Sequence, residues 1–390
     1  MQKCNCELMK NILFIHQSAE MYGSDKTLLL LIRHINRERF CPVVILPNEG
    51  PLKKALELEN IEVYIAPVIK LHRKMFTPKN MVSLLKQIKQ AFRILNKINE
   101  NYNFEIVYSN TLAVLLGYLF AKKNRIKHVW HVHEIIESPK IVAKIFRFLL
   151  HTKSNFFTIY NSNATADFWK SSSQKNIEYE VVTNGLEVPS SPLLVNEIVS
   201  IRKEIFDVNN EIVIGLVGRI NKWKGQFILL EAFSKLIKKY PDLRLIFVGS
   251  TTENQSYILK ELTAKIDAFQ IVNQVKIVPF QPDINKIWSA IDIAIVPSVE
   301  PEPFGLVAVE AMLAKKPVIA SNHGGLTEIV IHEHTGFLVQ PNNVTDLVNA
   351  IETLVNDKSK RLEMGEKGYV RAVEEFSIYK YVSNIEKILA

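Results

Sequence analysis

Glu302 and Glu310 stand eight positions apart in Glu302-Pro303-Phe304-Gly305-Leu306-Val307-Ala308-Val309-Glu310, with a glycine between them. The segment follows an apolar run, Ile291-Asp292-Ile293-Ala294-Ile295-Val296-Pro297, and leads into an alanine-rich helical pattern. The run reads as a buried parallel strand ending at Pro297. Ligands of open α/β sheets bind outside the carboxyl ends of strands. A helix opening at Phe304, Gly305 and Leu306 offers backbone N–H groups that no intrahelical carbonyl can reach, which favours an anion. Glu302 falls in the loop before it, and Glu310 about one and a half turns inside, at ~3.6 residues per turn. Carboxylates repel phosphate but accept hydrogen bonds from hydroxyls. Hydroxyls flanking an anion describe a nucleotide-sugar.

Cations suited to a pyrophosphate occur in Gly218-Arg219-Ile220-Asn221-Lys222-Trp223-Lys224-Gly225, after the apolar run Ile212–Val217. Arg219 can grip phosphate through two parallel hydrogen bonds and Lys224 as a point charge; the bland reading is solvated loop cations. His131-Val132-His133-Glu134 places two imidazoles on one face of an extended segment. Two histidines without an obvious third ligand make a poor metal site. The simpler reading is one imidazole lining a ligand site, against a purely structural histidine. His332 and His334 share that spacing but precede Thr335-Gly336 and read as solvated surface. In Glu20-Met21-Tyr22-Gly23-Ser24-Asp25, Gly23 could allow close approach of backbone to a phosphate or sugar. His323-Gly324-Gly325-Leu326-Thr327-Glu328 is either a turn or another wall of the same site. Asp-x-Asp, the carboxylate pair expected of a metal-held nucleotide, is absent from the sequence, so no metal and no cofactor is expected.

These loops need strands to carry them. Apolar runs at Asn11–His16, Pro42–Leu46, Ile61–Ile65, Ile106–Tyr108, His128–His131 and Phe156–Tyr160 alternate with helical patterns. The first such helix spans Thr27–His34, with Ser24 or Asp25 as its cap. Val181-Val182-Thr183-Asn184-Gly185 reads as a short strand running into a turn, and Pro189-Ser190-Ser191-Pro192 as a linker. A second series has strands at Ile212–Val217, Arg244–Val248, Val275–Val278, Ile291–Val296 and Pro317–Ala320. Ser377–Ala390 reads as an amphipathic helix. The alternation predicts an α/β chain with two doubly wound parallel-sheet domains facing a cleft, with boundaries at 1–190, 191–376 and 377–390.

At 390 residues and 47% hydrophobic composition, the chain suits two such domains. No apolar stretch reaches membrane-spanning length. Met1–Lys10 lacks an apolar signal core, and Met9 is an alternative start. Cys4, Cys6 and Cys41 form no disulfide or zinc spacing, which points to a reducing cytoplasm. The net charge of +8 divides into +10 for residues 1–190 and −2 for residues 191–390. Lys70, Arg73, Lys74, Lys79, Lys86, Lys89, Arg93 and Lys97 are interleaved with Met81, Leu84, Leu85, Ile88, Phe92, Ile94 and Leu95. Lys140–Lys153 repeats the texture with Ile141, Ile145, Phe146, Phe148 and Leu149. One reading is peripheral contact with an anionic membrane, at the inner face of the cell membrane; the other is core-facing helices with solvated basic faces. No nucleic-acid-binding module accompanies the charge.

Taken together, the second half resembles the large retaining glycosyltransferase family four, of GT-B fold. The resemblance rests on Gly218-Arg219…Lys224-Gly225, Phe247-Val248-Gly249, Pro297-Ser298, Glu302-Pro303-Phe304-Gly305…Glu310-Ala311-Met312 and Gly324-Gly325…Glu328-Ile329-Val330, over roughly residues 180–345. Gly23, His133 and Asn184-Gly185 fit the first half more loosely, and the Gly23 loop lacks the paired glycines of many members. The resemblance implies that Arg219 and Lys224 bind the donor diphosphate, and that amides around Phe304, Gly305 and Leu306 hold sugar and phosphate. It implies that Glu302 contacts the transferred sugar, Glu310 the ribose hydroxyls, and that His133 lines the reaction centre. It implies a C-terminal helix packed on the first domain, and metal-independent transfer with retention. The expected donor is a UDP-sugar, with GDP- and dTDP-sugars as alternatives. The expected acceptor is a glycan or polyprenyl-linked glycan of bacterial surface polysaccharide or lipopolysaccharide synthesis. A sugar-nucleotide epimerase and a non-catalytic nucleotide-sugar binder are the competing readings.

Overall fold

The computed structural model describes residues 9–68, 78–170, 178–189, 191, 193–252 and 255–390, and for 78–82 the backbone alone. Cys4, Cys6, Lys70, Arg73, Lys74, Ser190 and Pro192 lie outside the described residues, as do the side chains of Lys79 and Met81. The chain divides into two compact units: residues up to Gly185 together with Ile378–Ala390, and Leu186–Ser377. The second unit opens and closes side by side, because Leu186 bridges to Ser377 and its N–H donates to Phe376 O.

In the first unit β1 (Lys10–His16), α1 (Gly23–His34), β2 (Phe40–Leu46), α2 (Pro51–Leu58), β3 (Glu62–Ile65) and α3 (Pro78–Tyr102) are followed by β4 (Ile106–Asn110) and α4 (Leu115–Asn124). Then come β5 (Lys127–Val132), α5 (Lys140–Leu150), β6 (Phe157–Tyr160), α6 (Asn163–Trp169) and β7 (Glu178–Val181). The seven strands form one parallel sheet in the order β3-β2-β1-β4-β5-β6-β7. Strand order reverses between β1 and β4, the place where an open sheet splays its loops apart and leaves a crevice. β2 is apolar and buried along its whole length, whereas β4 is equally buried but ends in the polar Ser109 and Asn110.

The first helix starts four residues earlier than its apolar run. Asp25 is its third residue rather than its cap, and Oδ2 accepts the Tyr22 N–H from there. α3 packs against α4, and both share one core cluster with the sheet. α3 buries Ala91, Leu95 and Ile98 and exposes Lys86, Lys89, Arg93 and Lys97. α5 buries Ala143, Phe146 and Leu150 and leaves Ile141, Ile145 and Phe148 exposed.

The second unit contains α7 (Val195–Ile201), β8 (Ile212–Val217), α8 (Gln226–Leu236), β9 (Leu243–Val248), α9 (Ser256–Ala268), β10 (Val275–Val278), α10 (Ile284–Ala290) and β11 (Ile293–Val296). It continues with α11 (Leu306–Leu313), β12 (Val318–Ser321), α12 (Leu326–Ile329), β13 (Gly336–Val339), α13 (Val344–Asn356) and α14 (Lys358–Glu375). Its parallel sheet runs β10-β9-β8-β11-β12-β13 and reverses between β8 and β11. The core joins Leu216, Leu230, Phe233, Phe247, Ile295, Ile319 and Ile351 across sheet and helices. Burying each such side chain contributes about 1.5–3 kcal/mol.

The closing helix, α15 (Ile378–Leu389), belongs to the first unit. Ile378, Tyr381, Val382, Ile385 and Leu389 recur at helical spacing and are all buried. It packs on α1, where Glu386 Oε1 accepts the Asn36 N–H at 2.6 Å. Among the described residues, no helix is long and apolar enough to cross a membrane.

Candidate active site

The loops after β8 and β11 leave the sheet of the second unit at its point of reversal, and they are locked to each other. Asn221 Oδ1 accepts the N–H groups of Trp223 and Lys224 at 3.1 and 2.9 Å, which folds the β8 loop into a tight turn. The buried Gln226 amide donates to Arg219 O at 2.9 Å. Val299 N–H then donates to Trp223 O at 2.7 Å, across to the β11 loop. Gly225 sits at φ +82°, and a Cβ there would lie 2.0 Å from Pro297 O. Only glycine tolerates both demands.

That clamp places Lys224 Nζ 2.6 Å from Glu302 Oε1. Their side chains are 21% and 12% exposed, so the pair is largely withdrawn from solvent but still reachable. Ser298 Oγ donates to the same carboxylate oxygen, and His323 Nε2 donates to Ser298 O at 2.8 Å. Burial alone raises the Glu302 pKa, but Lys224, Ser298 and His323 outweigh it and hold the carboxyl below its ordinary value. Glu302 is therefore an ionised acceptor. Gly325 N–H donates to Glu302 O at 2.7 Å, which ties the loop after β12 to the loop after β11.

Gly305 caps α11 at φ +111°, and Leu306 is the first helical residue. The first-turn N–H groups thus point out of the helix end beside the Glu302 loop. The Phe304 side chain is buried, its ring 5.7 Å from that of Phe376, so any ligand contact there belongs to its backbone. Glu310 is the fifth residue of α11 and is buried. The second unit therefore brings Arg219, Lys224, Glu302, Phe304, Gly305, Leu306 and Glu310 to the two loops and one helix at the switch point.

Gly23 and His133 belong to the first unit. Gly23 is the first residue of α1 and exposed. His133 follows β5, and its Nε2 lies 3.0 Å from Asn110 Oδ1 at the end of β4. Burial, then the neighbouring His131 and His16, push the His133 pKa well below its ordinary value, with Asp25 opposing. Glu134 Oε2 accepts the N–H groups of Leu112 and His133 at 2.9 and 3.0 Å and so fixes the turn. His131 is fully buried, bonded through Nδ1 to Tyr108 Oη at 2.7 Å, and burial lowers its pKa to about 3. It is a core residue rather than a ligand.

Four residues of these sites have no role of their own predicted from the sequence: Asn221, Ser298, Asn110 and Glu134. Ser298 and Glu134 stand inside recognisable segments, so adjacency was their only pointer. Asn110 and Asn221 act through loop geometry that spacing does not encode. Among the described residues, no group of three or more His, Cys, Asp or Glu side chains is placed to hold a metal ion.

Known proteins resemble this chain in sequence and in fold. Residues 198–371 match the family model described as glycosyl transferases group 1. The chain is 35% identical over 157 residues to a D-inositol 3-phosphate glycosyltransferase of Pseudarthrobacter chlorophenolicus, covering 40% of this chain and 37% of that protein. It is 32% identical over 174 residues to an uncharacterised glycosyltransferase of Haemophilus influenzae, covering 44% and 47%. The matches thus span less than half the length of these curated relatives. The crystal structure of Anabaena Alr3699/HepE with UDP and glucose superposes with a TM-score of 0.85 at 27% identity, covering 98% of this chain and 99% of that one. A glycosyltransferase of Rickettsia africae shares the fold, with a TM-score of 0.81 at 22% identity over 97% of each chain. The fold is the one that the sequence resemblance implied, two Rossmann-like parallel-sheet units of the GT-B kind.

Proposed function

We propose, from the match of residues 198–371 to the glycosyl transferases group 1 model, that the protein is a retaining glycosyltransferase acting on a nucleotide-sugar. It moves a hexosyl or N-acetylhexosaminyl group to a glycan or lipid-linked glycan, in bacterial surface polysaccharide synthesis. The observation that carries this reading is the Lys224–Glu302 pair, 2.6 Å apart beside the opening of α11. Such a site offers a cation and free backbone amides to phosphate, and an ionised carboxylate to sugar hydroxyls. A UDP-sugar is the first choice of donor, because the Anabaena protein has been crystallised with UDP and with UDP-glucose.

In this reading, departure of the nucleoside diphosphate builds negative charge on its oxygens. Arg219, Lys224 and the amides at Phe304, Gly305 and Leu306 stabilise that charge as it develops. Glu302 is held ionised and hydrogen-bonded, which suits it to fix the orientation of the transferred sugar. Glu310 anchors the ribose, and His133 contacts the donor sugar. The leaving phosphate assists deprotonation of the acceptor on the same face, so the anomeric configuration is kept. The first unit takes the acceptor, and its basic helices rest on an anionic membrane at the cytoplasmic face.

A donor screen tests the reading. UDP-, GDP- and dTDP-sugars are each tried for protection of the full chain against heat, and release of nucleoside diphosphate is followed with membrane extracts as acceptor source. Protection by one donor class together with acceptor-dependent release is expected. Protection without release, or conversion of the donor sugar to its epimer with no acceptor present, overturns transfer. The anomeric signal of the product, read by NMR, decides between retention and inversion.

A further inference from the structure

The switch point of the first unit carries a polar chain that the proposed transfer does not by itself require. His16 ends β1 and Asn110 ends β4, and the two are paired in register across the sheet. His16 is fully buried, and its Nε2 lies 2.7 Å from Asp25 Oδ1. The other Asp25 oxygen accepts the Tyr22 N–H at 2.9 Å. His16 Nδ1 is 3.0 Å from both the main-chain oxygen and Nδ2 of Asn110. Asn110 Oδ1 faces His133 Nε2 at 3.0 Å. Asp25, His16 and Asn110 are each at most 2% exposed.

We infer that Asp25, His16 and Asn110 are positioning residues that fix the His133 tautomer, placing its proton on Nε2 and leaving Nδ1 as a hydrogen-bond acceptor. The direction of each bond follows from what each atom can do. The Asp25 carboxylate only accepts, so His16 Nε2 carries a hydrogen. Asn110 Nδ2 also lies 3.2 Å from Ser24 O, a carbonyl that only accepts. That contact orients the amide, with its NH2 towards Ser24 and His16 and its oxygen towards His133. An amide oxygen only accepts, so His133 Nε2 must donate. No described residue hydrogen-bonds His133 Nδ1, and the ring, partly exposed, keeps that lone pair for a ligand hydroxyl. The groups facing His133 are His131 on the same strand end, with ring centroids 3.9 Å apart, His16 from β1, Asp25 from α1, and Glu134 beside it. None of them offers Nε2 a second acceptor.

The inference rests on the reading of His133 as a residue that meets the donor sugar, and the test separates the two. In the full chain labelled with nitrogen-15 histidine, long-range proton–nitrogen spectra report which ring nitrogen carries hydrogen, and His133→Gln identifies the His133 signals. Expected is a protonated Nε2 and a bare Nδ1 throughout the neutral range. A proton on Nδ1, or averaging between the two nitrogens, overturns the relay, and this measurement needs no variant of the relay to fold.

Asn110→Asp then replaces the amide by a carboxylate that stabilises the imidazolium. His133 should titrate higher by about one to three pH units, and kcat should gain an acid limb lacking in the parent while KM for the donor changes less than about threefold. An unaltered His133 titration in that variant also counts against the relay. If tautomer and titration behave as inferred but kcat keeps the parent pH profile, the relay stands and the placement of His133 at the reacting sugar falls.

Discussion

Lys224 Nζ and Glu302 Oε1 lie 2.6 Å apart across 78 residues of sequence. One ion pair therefore joins the loops that follow β8 and β11. The pair leaves Lys224 with hydrogens to spare and Glu302 with a second oxygen, so each can bind a ligand group without releasing the other. Lys224→Ala should lower kcat about 100- to 1,000-fold, the range for loss of one group that stabilises developing charge. Glu302→Gln keeps the shape, and its effect should fall on the orientation of the transferred sugar, seen as a lower kcat with a smaller change in donor KM. Steady-state kinetics with the donor found by screening measures both. Near-parental turnover by Lys224→Ala would remove it from the site.

The same pair makes a pH prediction. The Glu302 carboxyl is held below its ordinary value of 4.5 in the folded chain. Its ionised form therefore contributes stability above that ordinary value, and the contribution is lost as pH falls through the depressed one. Glu302→Gln should melt below the parent at neutral pH, and the gap should close in acid below about pH 4.5. Thermal unfolding of both proteins over a pH series gives the answer. A gap independent of pH would show that the carboxylate charge contributes nothing.

Gly225 offers a test of the clamp itself. Its φ of +82° and the 2.0 Å approach of a built Cβ to Pro297 O each oppose a side chain. Gly225→Ala should lower stability by about 2 kcal/mol or more, combining left-handed strain of roughly 1–3 kcal/mol with a contact that must open. Because the Pro297 loop leads to Glu302, transfer should fall even where the variant remains folded. Denaturant unfolding and kinetics on the same preparation separate the two effects. An unchanged midpoint would mean that the loops are less tightly joined than the structure shows.

Sequence and structure agree most where burial dominates. β8 has the bounds that its apolar run predicts, because a strand covered on both faces must be apolar throughout. β13 is not among the predicted strands: Gly336–Val339 is four residues long, and its place is set by pairing with β12 rather than by its own pattern. The apolar residues of α1 begin at Thr27, whereas the helix begins at Gly23 and Asp25 supports its first turn from inside. At the site, Lys224 and Glu302 were each visible within their motifs. Their contact was not, since it depends on Asn221, Gly225 and Val299 folding two distant loops together. His16, Asp25 and Asn110 are single polar residues at strand and helix ends, and only the register of β1 with β4 makes them neighbours.

The basic face of the first unit makes the last prediction. Along α3, α4 and α5 the sequence holds one carboxylate, Glu100. Lys86, Lys89, Arg93, Lys97, Lys122, Lys123, Lys140 and Lys144 are exposed there. Ile141 and Phe148 on α5 are 63% and 62% exposed, with Ile145 between them at 42%, so an apolar ridge stands at i, i+4 and i+7 beside Lys140 and Lys144. An anionic bilayer suits both parts of this surface, with about 1 kcal/mol from each lysine near the headgroups and further gain from burying the ridge. The full chain should sediment with vesicles containing phosphatidylglycerol and not with pure phosphatidylcholine, and salt should weaken the binding. Replacing Ile141, Ile145 and Phe148 together by serine should reduce binding at least tenfold while leaving donor protection against heat unchanged, since these residues lie on the unit that does not carry Lys224 and Glu302. Equal binding to both vesicle types, or equal binding by the triple variant, would return α5 to an ordinary solvated helix.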